Sequence, residues 1–254
     1  MVTASVISRL LTVSAPGATA YDCPECDAAA GTPCVSLART EPQPIKTPHR
    51  GRVELAAHNA PSAPPVIEVA DNDTSRGLTL TLVAERLSGM TEDTHMTSDM
   101  WRGVEAEPHA RDAYSEHHKP ATEVGFMIRD DWGFQIGFSP DGLVGDDGFI
   151  EIKAPRAKTH VLTVIEGRIP EPYMAQIQAG LLVSGRAWCD YIPFVGGMPL
   201  WTKRVHPDPA WHDAIVAAVR AFETNAAELT EAYLQATTGL PVTERIEPPL
   251  EMVI

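Results

Sequence analysis

The sequence has few aromatic residues and no long apolar run. Aromatic residues make up 6% of the 254 residues, hydrophobic residues 44% and charged residues 21%, which is typical of a globular protein. No stretch approaches the roughly 20 apolar residues that span a bilayer, so we expect no membrane segment. The start, MVTASVISRLLTVSAPGATA, lacks a basic region and is interrupted by Arg9. We interpret it as a soluble N-terminus rather than a secretion signal, which predicts a cytoplasmic protein.

Positive charge is also scarce. The chain has 20 Lys and Arg against 34 Asp and Glu, so its formal net charge is −14. This balance excludes a protein that coats nucleic acid non-specifically, because such binding depends on Lys and Arg neutralising phosphates. It leaves room for an enzyme with a local basic channel. An acidic metal site would contribute negative charge that its metal offsets.

Cysteines are few and unevenly placed. Three of the four lie within residues 23–34 and Cys189 lies far away, which excludes a spread disulfide scaffold and favours an intracellular metal site. Three thiolates and one imidazole are the ligands of a closed structural zinc site: Cys23, Cys26, Cys34 and His49. His58 is an alternative fourth ligand, and reduced surface cysteines are the alternative to metal binding. Nearby basic residues indicate contact with DNA or a partner: Arg39, Lys46, Arg50 and Arg52. We expect Cys189 to be a small buried residue in a strand.

Composition divides the chain into three parts. We predict a zinc module over residues 1–59, because its Cys-, Pro- and Gly-rich part has little core and needs a metal to fold. Residues 60–75 are rich in Pro and Asp and predict a linker. Residues 76–254 show helices, strands, helices, strands and a long terminal helix, which predict a mixed α/β (α+β) domain. The predicted helices are 78–89, 98–118 with Ser98 as N-cap and a kink or start at Pro108, 157–167, 171–185, and 208–239.

The most informative stretch is GFSPDGLVGDDGFIEIKAPRAKTH, residues 137–160. FIEIKAP predicts a short strand, on which side chains alternate between faces. Ile150 and Ile152 therefore point into a core, and Glu151 and Lys153 point together to the other face. A solvated hairpin with one salt bridge is one interpretation, and a metal-dependent active site is the other.

The turn before this strand supports the second interpretation. Asp147-Gly148 suits a positive φ and folds the chain back, so that Asp141 approaches Glu151. Two converging carboxylates make a site for Mg²⁺ or Mn²⁺, which prefer oxygen ligands. A metal there would activate water and stabilise charge on a phosphate, and Lys153 would orient that water.

Together these motifs resemble a known family. SPDGLV followed by FIEIKAP is similar to the phage lambda exonuclease (YqaJ-like) branch of the PD-(D/E)XK nucleases. WRGVEAEPHARDAY (101–114) and EPYMAQIQAGLLVSG (171–185) match two helices of that family in order, so the resemblance spans about residues 76–206. It implies a restriction-endonuclease-like core. It also implies a metal-dependent exonuclease that degrades linear duplex DNA 5′ to 3′ in phage recombination, inside a bacterial host cell.

The resemblance also implies roles for individual residues. The catalytic set would be Asp141, Glu151, Lys153, Gln176 and Glu107. The magnesium ligands would be Asp141, Glu151, Glu107 and the main-chain carbonyl of Ile152. Taken alone, Glu107 would be a surface glutamate paired with Arg111 at i+4, and Gln176 a surface amide.

The DNA contacts are assigned partly by position. The family's early Trp…Arg…Thr-Ala-Ser segment, whose arginine holds the 5′-phosphate, has no clean counterpart here. Arginine is the expected residue because it binds phosphate through two hydrogen bonds. The candidates, in order, are Arg76, Arg86 and Arg102. Further expected DNA contacts are Ser139, Arg156 and Lys158.

Partners follow from the resemblance as well. It implies duplex DNA ends as substrate, a single-strand annealing protein as partner, and a ring-shaped homotrimer. Two alternatives stay open: an endonuclease or single-strand nuclease of the same fold, and a non-catalytic zinc-containing DNA-binding or interaction module. The intact set of Asp141, Glu151 and Lys153 argues against the last.

Overall fold

The computed structural model describes residues 1–37, 41–91 and 96–245. The strands in this part of the chain are β1 Val2–Thr3, β2 Leu11–Ser14, β3 Val66–Val69, β4 Ala121–Thr122, β5 Met127–Arg129, β6 Ile136–Phe138, β7 Gly142–Val144, β8 Gly148–Lys153, β9 Trp188–Pro193 and β10 Lys203–Val205. The helices are α1 Arg50–Asn59, α2 Asp73–Ser88, α3 Ser98–His117, α4 Ala157–Glu166, α5 Glu171–Ser184 and α6 Pro209–Ala236.

A five-stranded mixed sheet lies at the centre, in the order β10-β9-β8-β7-β4. β8 and β9 run parallel, and the other pairs are antiparallel. A parallel pair needs a crossover, which the helices α4 and α5 supply. Three further strands form a second sheet in the order β1-β6-β5, and β2 pairs with β3. The prediction of a mixed α/β domain is confirmed.

The strand β8 separates two apolar cores. Ile150 and Ile152 pack with Trp188 on the side that α3 covers through Ala110 and Tyr114. Burying each such aliphatic side chain contributes about 1.5–3 kcal/mol. On the opposite side, Phe149 belongs to a larger core with Cys189 and Tyr191 from β9 and with apolar residues of α5 and α6. The predicted alternation of β8 and the buried state of Cys189 are both confirmed.

The first residues of the chain belong to the larger core. Val2, Ile7 and Leu10 are buried there, and β1 pairs in parallel with β6. Ser14 at the end of β2 pairs with Val66 at the start of β3. The cysteine-containing segment therefore leaves the core and returns to it at neighbouring positions.

These pairings bear on our domain boundaries. We assigned residues 1–59 to a zinc module, 60–75 to a linker and 76–254 to the nuclease domain. The strand pairings instead associate residues 2–14 with the core, and they put a strand, Val66–Val69, inside the expected linker. The division into domains stays a prediction, and the contacts favour a cysteine segment bounded by β2 and β3.

Local hydrogen bonds set the helix ends. α2 begins at Asp73, before the predicted residue 78, because Asn72 and Ser75 cap it reciprocally. The N-cap of α3 is Thr97 rather than Ser98, and α3 continues through Pro108 to His117. Gly185 closes α5 in the left-handed region and Asp208 caps α6, as predicted, but α6 ends at Ala236 rather than at the predicted residue 239.

The hairpin between β7 and β8 differs from the prediction. The left-handed glycine is Gly145, with φ of 55°, and not the Asp147-Gly148 pair. Gly148 instead lies in β8 against the indole of Trp188, where a Cβ atom would come within 2.1 Å of the ring. That position therefore requires glycine for close packing rather than for a turn.

Candidate active site and zinc cluster

A cleft of about 660 Å³ opens where β8 ends, between α3, the β6–β7 loop and the start of α5. Its lining includes Glu107, Asp141, Lys153 and Tyr173. Most of the residues predicted to carry chemistry thus meet at one place, although they are spread over nearly fifty residues of sequence.

Glu151 lies beneath this cleft and is fully buried. Its Oε1 accepts a hydrogen bond of 2.6 Å from Lys153 Nζ, and its Oε2 is buried with no partner. Burial raises the pKa of Glu151, although Lys153 opposes the shift. A solvated hairpin face does not bury a carboxylate in this way, so that interpretation is excluded.

Lys153 is held as a cation. Burial alone would lower its pKa, but Glu151 and Asp141 outweigh burial and raise it. Its ammonium also lies 5.5 Å from the ring centroid of Tyr173, within the range of a cation–π contact. Lys153 is therefore a hydrogen-bond donor at neutral pH and not a base.

Asp141 completes the acidic pair. Its Oδ2 accepts from the main-chain N–H of Ile152 at 2.6 Å. Burial and the nearby Glu151 raise the pKa of Asp141 to about 8. A fully buried carboxylate with one unsatisfied oxygen, Glu151, and a partly buried one, Asp141, fit a hard divalent cation, which would satisfy that oxygen and offset both charges.

Glu107 reaches the cleft from α3 and is bonded to Arg111 one turn later. The same guanidinium donates to the main-chain oxygen of Asp141 at 2.7 Å and to Glu123 at 2.9 Å. The i+4 pairing of Glu107 with Arg111 was considered as an alternative to a role in the site; in the structure Glu107 both pairs with Arg111 and lines the cleft. The link from Arg111 to Asp141 was not predicted, because it joins residues 30 positions apart.

The acidic side chains are less closely gathered than a preformed metal cage. Within the described residues, no three acidic side chains bring their oxygens as close together as the cysteine cluster brings its ligand atoms. Glu107 is turned towards Arg111 and Glu151 towards Lys153. The expected magnesium ligands thus share one cleft, with one oxygen of each of these two carboxylates engaged by a protein cation.

The helix α5 presents Tyr173 to the cleft, and Gln176 lies one turn further on, half-buried. The other glutamine of the motif, Gln178, is buried and structural. It donates to the main-chain oxygen of His206 at 2.9 Å and accepts from the N–H of Asp208 at 3.0 Å. These bonds anchor α5 to the start of α6. The role expected of Gln176 stays a prediction.

The residues predicted to contact DNA differ in their position relative to the cleft. Arg102 lines the cleft, donates to the main-chain oxygen of Ala154 at 3.0 Å and pairs with Asp99 at 2.8 Å. Arg156 lines the same cleft and also contacts Asp99, at 3.2 Å. Ser139 and Lys158 are exposed, directly after β6 and in the first turn of α4.

The other two candidates lie elsewhere. Arg76 pairs with Asp71 and Asp73 at 2.6 and 2.8 Å, beside a separate apolar cleft between α2 and α6. Arg86 pairs with Glu223 on α6 at 2.7 Å. The order of candidates taken from the sequence thus differs from the structural order, in which Arg102 is nearest the acidic residues.

The second site is the cysteine cluster. The ligand atoms of Cys23, Cys26, Cys34 and His49 all lie within 4.8 Å of one another. Cys23 Sγ is 3.4 Å from His49 Nδ1. This set suits a closed tetrahedral zinc site, and it selects His49 over His58 as the fourth ligand. The four residues predicted to bind zinc are thus brought together, which supports a structural zinc site.

Arg52 holds this cluster together. Its side chain is fully buried and donates to the main-chain oxygens of Tyr21, Thr32 and Ala29. It also donates to Cys34 Sγ at 3.3 Å. Burial opposes ionisation of Cys34, but the His49 N–H and Arg52 outweigh it and lower the pKa of this thiol to about 6.

The basic residues around the cluster therefore differ in role. The suggestion that Arg52 contacts DNA is wrong, because the folded loop buries its guanidinium. Arg50 and Lys46 are exposed, and Arg39 lies outside the described residues.

In the part of the chain that the structure describes, no helix combines the length and apolar character needed to cross a membrane.

The mixed sheet, with Asp141, Glu151 and Lys153 at one end of the paired strands β7 and β8, defines a nuclease core, and the Cys₃His cluster adds a zinc-binding segment. Comparison with known families agrees with both parts. Residues 61–187 match the YqaJ-like viral recombinase domain, and residues 8–68 match the putative DNA-binding phage zinc finger domain. The chain belongs to the YqaJ-like viral recombinase family, as its motifs predicted.

Solved structures give the same result. The chain is 32% identical to LHK-Exo, an alkaline exonuclease from Laribacter hongkongensis, with a TM-score of 0.63 over 68% of this chain and 90% of that one. The complex of LHK-Exo with dAMP matches with the same identity and TM-score. A phage-related exonuclease from Haemophilus somnus shares the fold at 12% identity, with a TM-score of 0.53 over 91% of this chain and 96% of that one. No curated protein matches this chain.

Proposed function

We propose that this chain is a metal-dependent exonuclease that degrades linear duplex DNA from its ends, 5′ to 3′, during phage-type recombination. The observation that carries the proposal is the buried Glu151, with one oxygen bonded to Lys153 and the other without a partner. The membership in the recombinase family and the similarity to an alkaline exonuclease support it. We place the activity in the cytoplasm of a bacterial host as part of the same proposal.

The acidic residues would hold Mg²⁺ or Mn²⁺. Asp141 and Glu151 are the main ligands, with Glu107 and the main-chain carbonyl of Ile152 as further ligands at the cleft. When bound, the cation supplies electrophilic stabilisation of the phosphate and lowers the pKa of water. Bulk water is excluded from Glu151, which is fully buried, whereas Asp141 is partly buried and faces the cleft.

Lys153 would act on the attacking water. Its ammonium is fixed by Glu151 and by the face of Tyr173, and it retains further N–H donors. One of these orients the water for in-line attack on the phosphorus atom, and the positive charge favours the hydroxide-like form of that water. In-line attack forms the new P–O bond as the bond to the leaving sugar oxygen breaks. Gln176 would assist from α5.

The rim of the cleft would hold the DNA backbone. Arg102 and Arg156 line it, and Lys158 is exposed on the next turn. An arginine that grips a terminal 5′-phosphate with two hydrogen bonds would place the neighbouring phosphodiester at the acidic residues. We assign this role to Arg102 on grounds of position. Each cut then creates a new 5′-phosphate at the same place.

The zinc segment would contact DNA beside the core. Its match to a putative DNA-binding domain and the exposed Arg50 support this role. From the family resemblance we also propose a ring-shaped homotrimer and a single-strand annealing protein as partner.

The test is digestion with Mg²⁺ of three substrates: linear duplex with a 5′-phosphate, linear duplex with a 5′-hydroxyl, and covalently closed circles. We expect the fastest release of nucleotides from the first and none from the circles. Lys153→Met, purified in the same way, controls for contaminating nucleases. Equal rates on circles and linear duplex would establish an endonuclease. Absence of cleavage with either Mg²⁺ or Mn²⁺ would favour a DNA-binding module.

A further inference from the structure

Arg111 on α3 joins three elements at the edge of the acidic cleft. Its Nε donates to the main-chain oxygen of Asp141 at 2.7 Å, and its Nη1 donates to Glu123 Oε2 at 2.9 Å. Its Nη2 donates to Glu107 Oε1. One guanidinium thus ties the helix that carries Glu107 to the loop that carries Asp141 and to the residue that follows β4.

The environment of Arg111 makes these bonds strong. Only 13% of its side chain is exposed, so solvent screens the contacts less than on an open surface. The charge-assisted bonds to Glu107 and Glu123 are directional, because a planar guanidinium donates along fixed directions. Glu123 is mostly exposed, at 74%, and supplies a second negative charge. The part of the network that faces Asp141 and Glu107 is therefore less exposed than the part that faces Glu123.

The contacts of Arg111 bear directly on the proposed metal site. We infer that Arg111 holds the main chain at Asp141 and one carboxylate oxygen of Glu107, so that both residues present oxygen atoms to the same divalent cation. This inference rests on the proposed metal-dependent function. Arg111 itself would touch neither the cation nor the DNA.

The three donors explain why arginine is required. A lysine at this position has one compact ammonium group and cannot serve the main-chain oxygen of Asp141 and both glutamates with the same geometry. Loss of the guanidinium would leave the Asp141 carbonyl unpaired and free Glu107 to turn away from the cleft. Residues that orient metal ligands in this manner typically change metal affinity by about 10- to 100-fold when they are replaced.

The experiment measures Mn²⁺ affinity directly, by isothermal titration calorimetry and by electron paramagnetic resonance of free Mn²⁺. The proteins are zinc-loaded wild type, Arg111→Gln, Arg111→Lys and a control, Arg186→Gln. Arg186 is a matched choice, because it also ties main-chain oxygens of the β7–β8 hairpin, those of Gly145 and Gly148, but outside the cleft. Circular dichroism and thermal melting establish that each variant is folded.

We expect Arg111→Gln to weaken Mn²⁺ binding by at least about 10-fold and Arg111→Lys to weaken it by a smaller factor. Adding methylguanidinium should restore part of the affinity of Arg111→Gln. Arg186→Gln should lower the melting temperature while its Mn²⁺ affinity stays at the wild-type value. If Arg111→Gln does not fold, Arg111→Lys decides, because it retains the charge but loses the fork of donors.

Unchanged Mn²⁺ affinity in a folded Arg111 variant would overturn the inference. So would a loss in Arg186→Gln as large as that in Arg111→Gln, because the effect would then come from general loosening of the hairpin. Neither result affects the proposed function, which depends on wild-type cleavage. If wild type binds Mn²⁺ but cleaves no DNA, the proposed function fails and the positioning role can still be measured.

Discussion

At the scale of single residues, Glu151 and Lys153 make the structure pH-sensitive as well as reactive. Lys153→Met should reduce cleavage by at least about 100-fold, since the donor to the attacking water is lost. It should also lower the free energy of unfolding by roughly 3 kcal/mol at pH 8, because Glu151 remains buried without its partner. The loss should be smaller at pH 6 than at pH 8, because burial raises the pKa of Glu151 and protonation removes its unpaired charge as the pH falls.

Cleavage assays and urea unfolding at the two pH values measure both effects. Lys119→Met serves as the control, because Lys119 is an exposed lysine that does not line the cleft. Near-normal cleavage by purified Lys153→Met would contradict the assignment of Lys153.

Asp141 should make the magnesium-free protein less stable as the pH rises. Its pKa in the folded protein is about 8, whereas an Asp carboxyl in an unfolded chain titrates near 3.9. The folded state therefore holds an extra proton between these values. Its stabilising effect is complete below about pH 4 and is lost as the pH rises towards 8, by up to about 1.4 kcal/mol per pH unit.

Thermal melting at pH 6 and pH 8, without Mg²⁺ and without a chelator that would remove zinc, tests this expectation. Asp141→Asn should show a smaller difference between the two pH values. Added Mg²⁺ should raise the melting temperature of wild type most at pH 8. A wild-type protein that is more stable at pH 8 than at pH 6 would show that Asp141 is already ionised.

The residues that the sequence predicts well are those whose partners are close along the chain. Asp141, Glu151 and Lys153 lie on one hairpin, so strand alternation alone brings them together. Arg52 and Arg111 could not be predicted in the same way. Arg52 bonds carbonyls 20 to 31 residues away, and Arg111 reaches a carbonyl 30 residues away. Judged from its neighbours in sequence, each arginine is a basic residue on a helix, and such a residue usually has a solvent-exposed side chain.

At the scale of elements, the cysteine segment should be separable from the core. Ser14 and Val66 are paired, so an Asn-Gly turn could join β2 directly to β3. We expect a chain in which Asn-Gly replaces residues 15–65 to fold and to retain cleavage. A chain that begins at residue 61 should not fold, because it loses the buried Val2, Ile7 and Leu10, each contributing about 1.5–3 kcal/mol of a total near 5–15.

Circular dichroism melting and metal analysis check this prediction. The full chain should contain about one zinc per molecule and the shortened chain none. Cys26→Ser should lose zinc without unfolding the core. If the shortened chain is unfolded, the cysteine segment contributes to the core itself.

The ends of helices were predictable where a single capping residue sets them, as Gly185 does for α5 and Asp208 for α6. The pairing of β1 with β6 was not, because it joins residues more than 130 positions apart and β1 is only two residues long. Nothing in the first fourteen residues distinguishes a short core strand from an ordinary N-terminus. This is the reason that the predicted zinc module, residues 1–59, included β1 and β2, which the strand pairings associate with the core.

At the scale of the whole molecule, the net charge of −14 limits how DNA is held. Binding must depend on a few cations at the cleft, chiefly Arg102, Arg156 and Lys158. We therefore expect the logarithm of the DNA association constant to fall with the logarithm of salt concentration with a slope of only about −3, near −0.9 per phosphate contact. Arg102→Gln should reduce this slope by about 1 and remove the preference for a 5′-phosphate.

Fluorescence anisotropy with a 5′-phosphorylated duplex at several salt concentrations measures the slope. Arg76→Gln is the matched control, because Arg76 also pairs with aspartates near its own helix but lies outside the cleft. An equal loss in Arg76→Gln would return the phosphate-binding role to the candidate that ranked first in the sequence.

The pairing of Ser14 with Val66 also has a consequence for engineering. Because the two ends of the cysteine segment leave the core at directly paired residues of β2 and β3, an inserted domain could begin and end at the same place. A foreign zinc finger or other sequence-reading domain with closely spaced ends could be exchanged there as a cassette. The cutting machinery would stay the same while the DNA that recruits it is chosen by the insert.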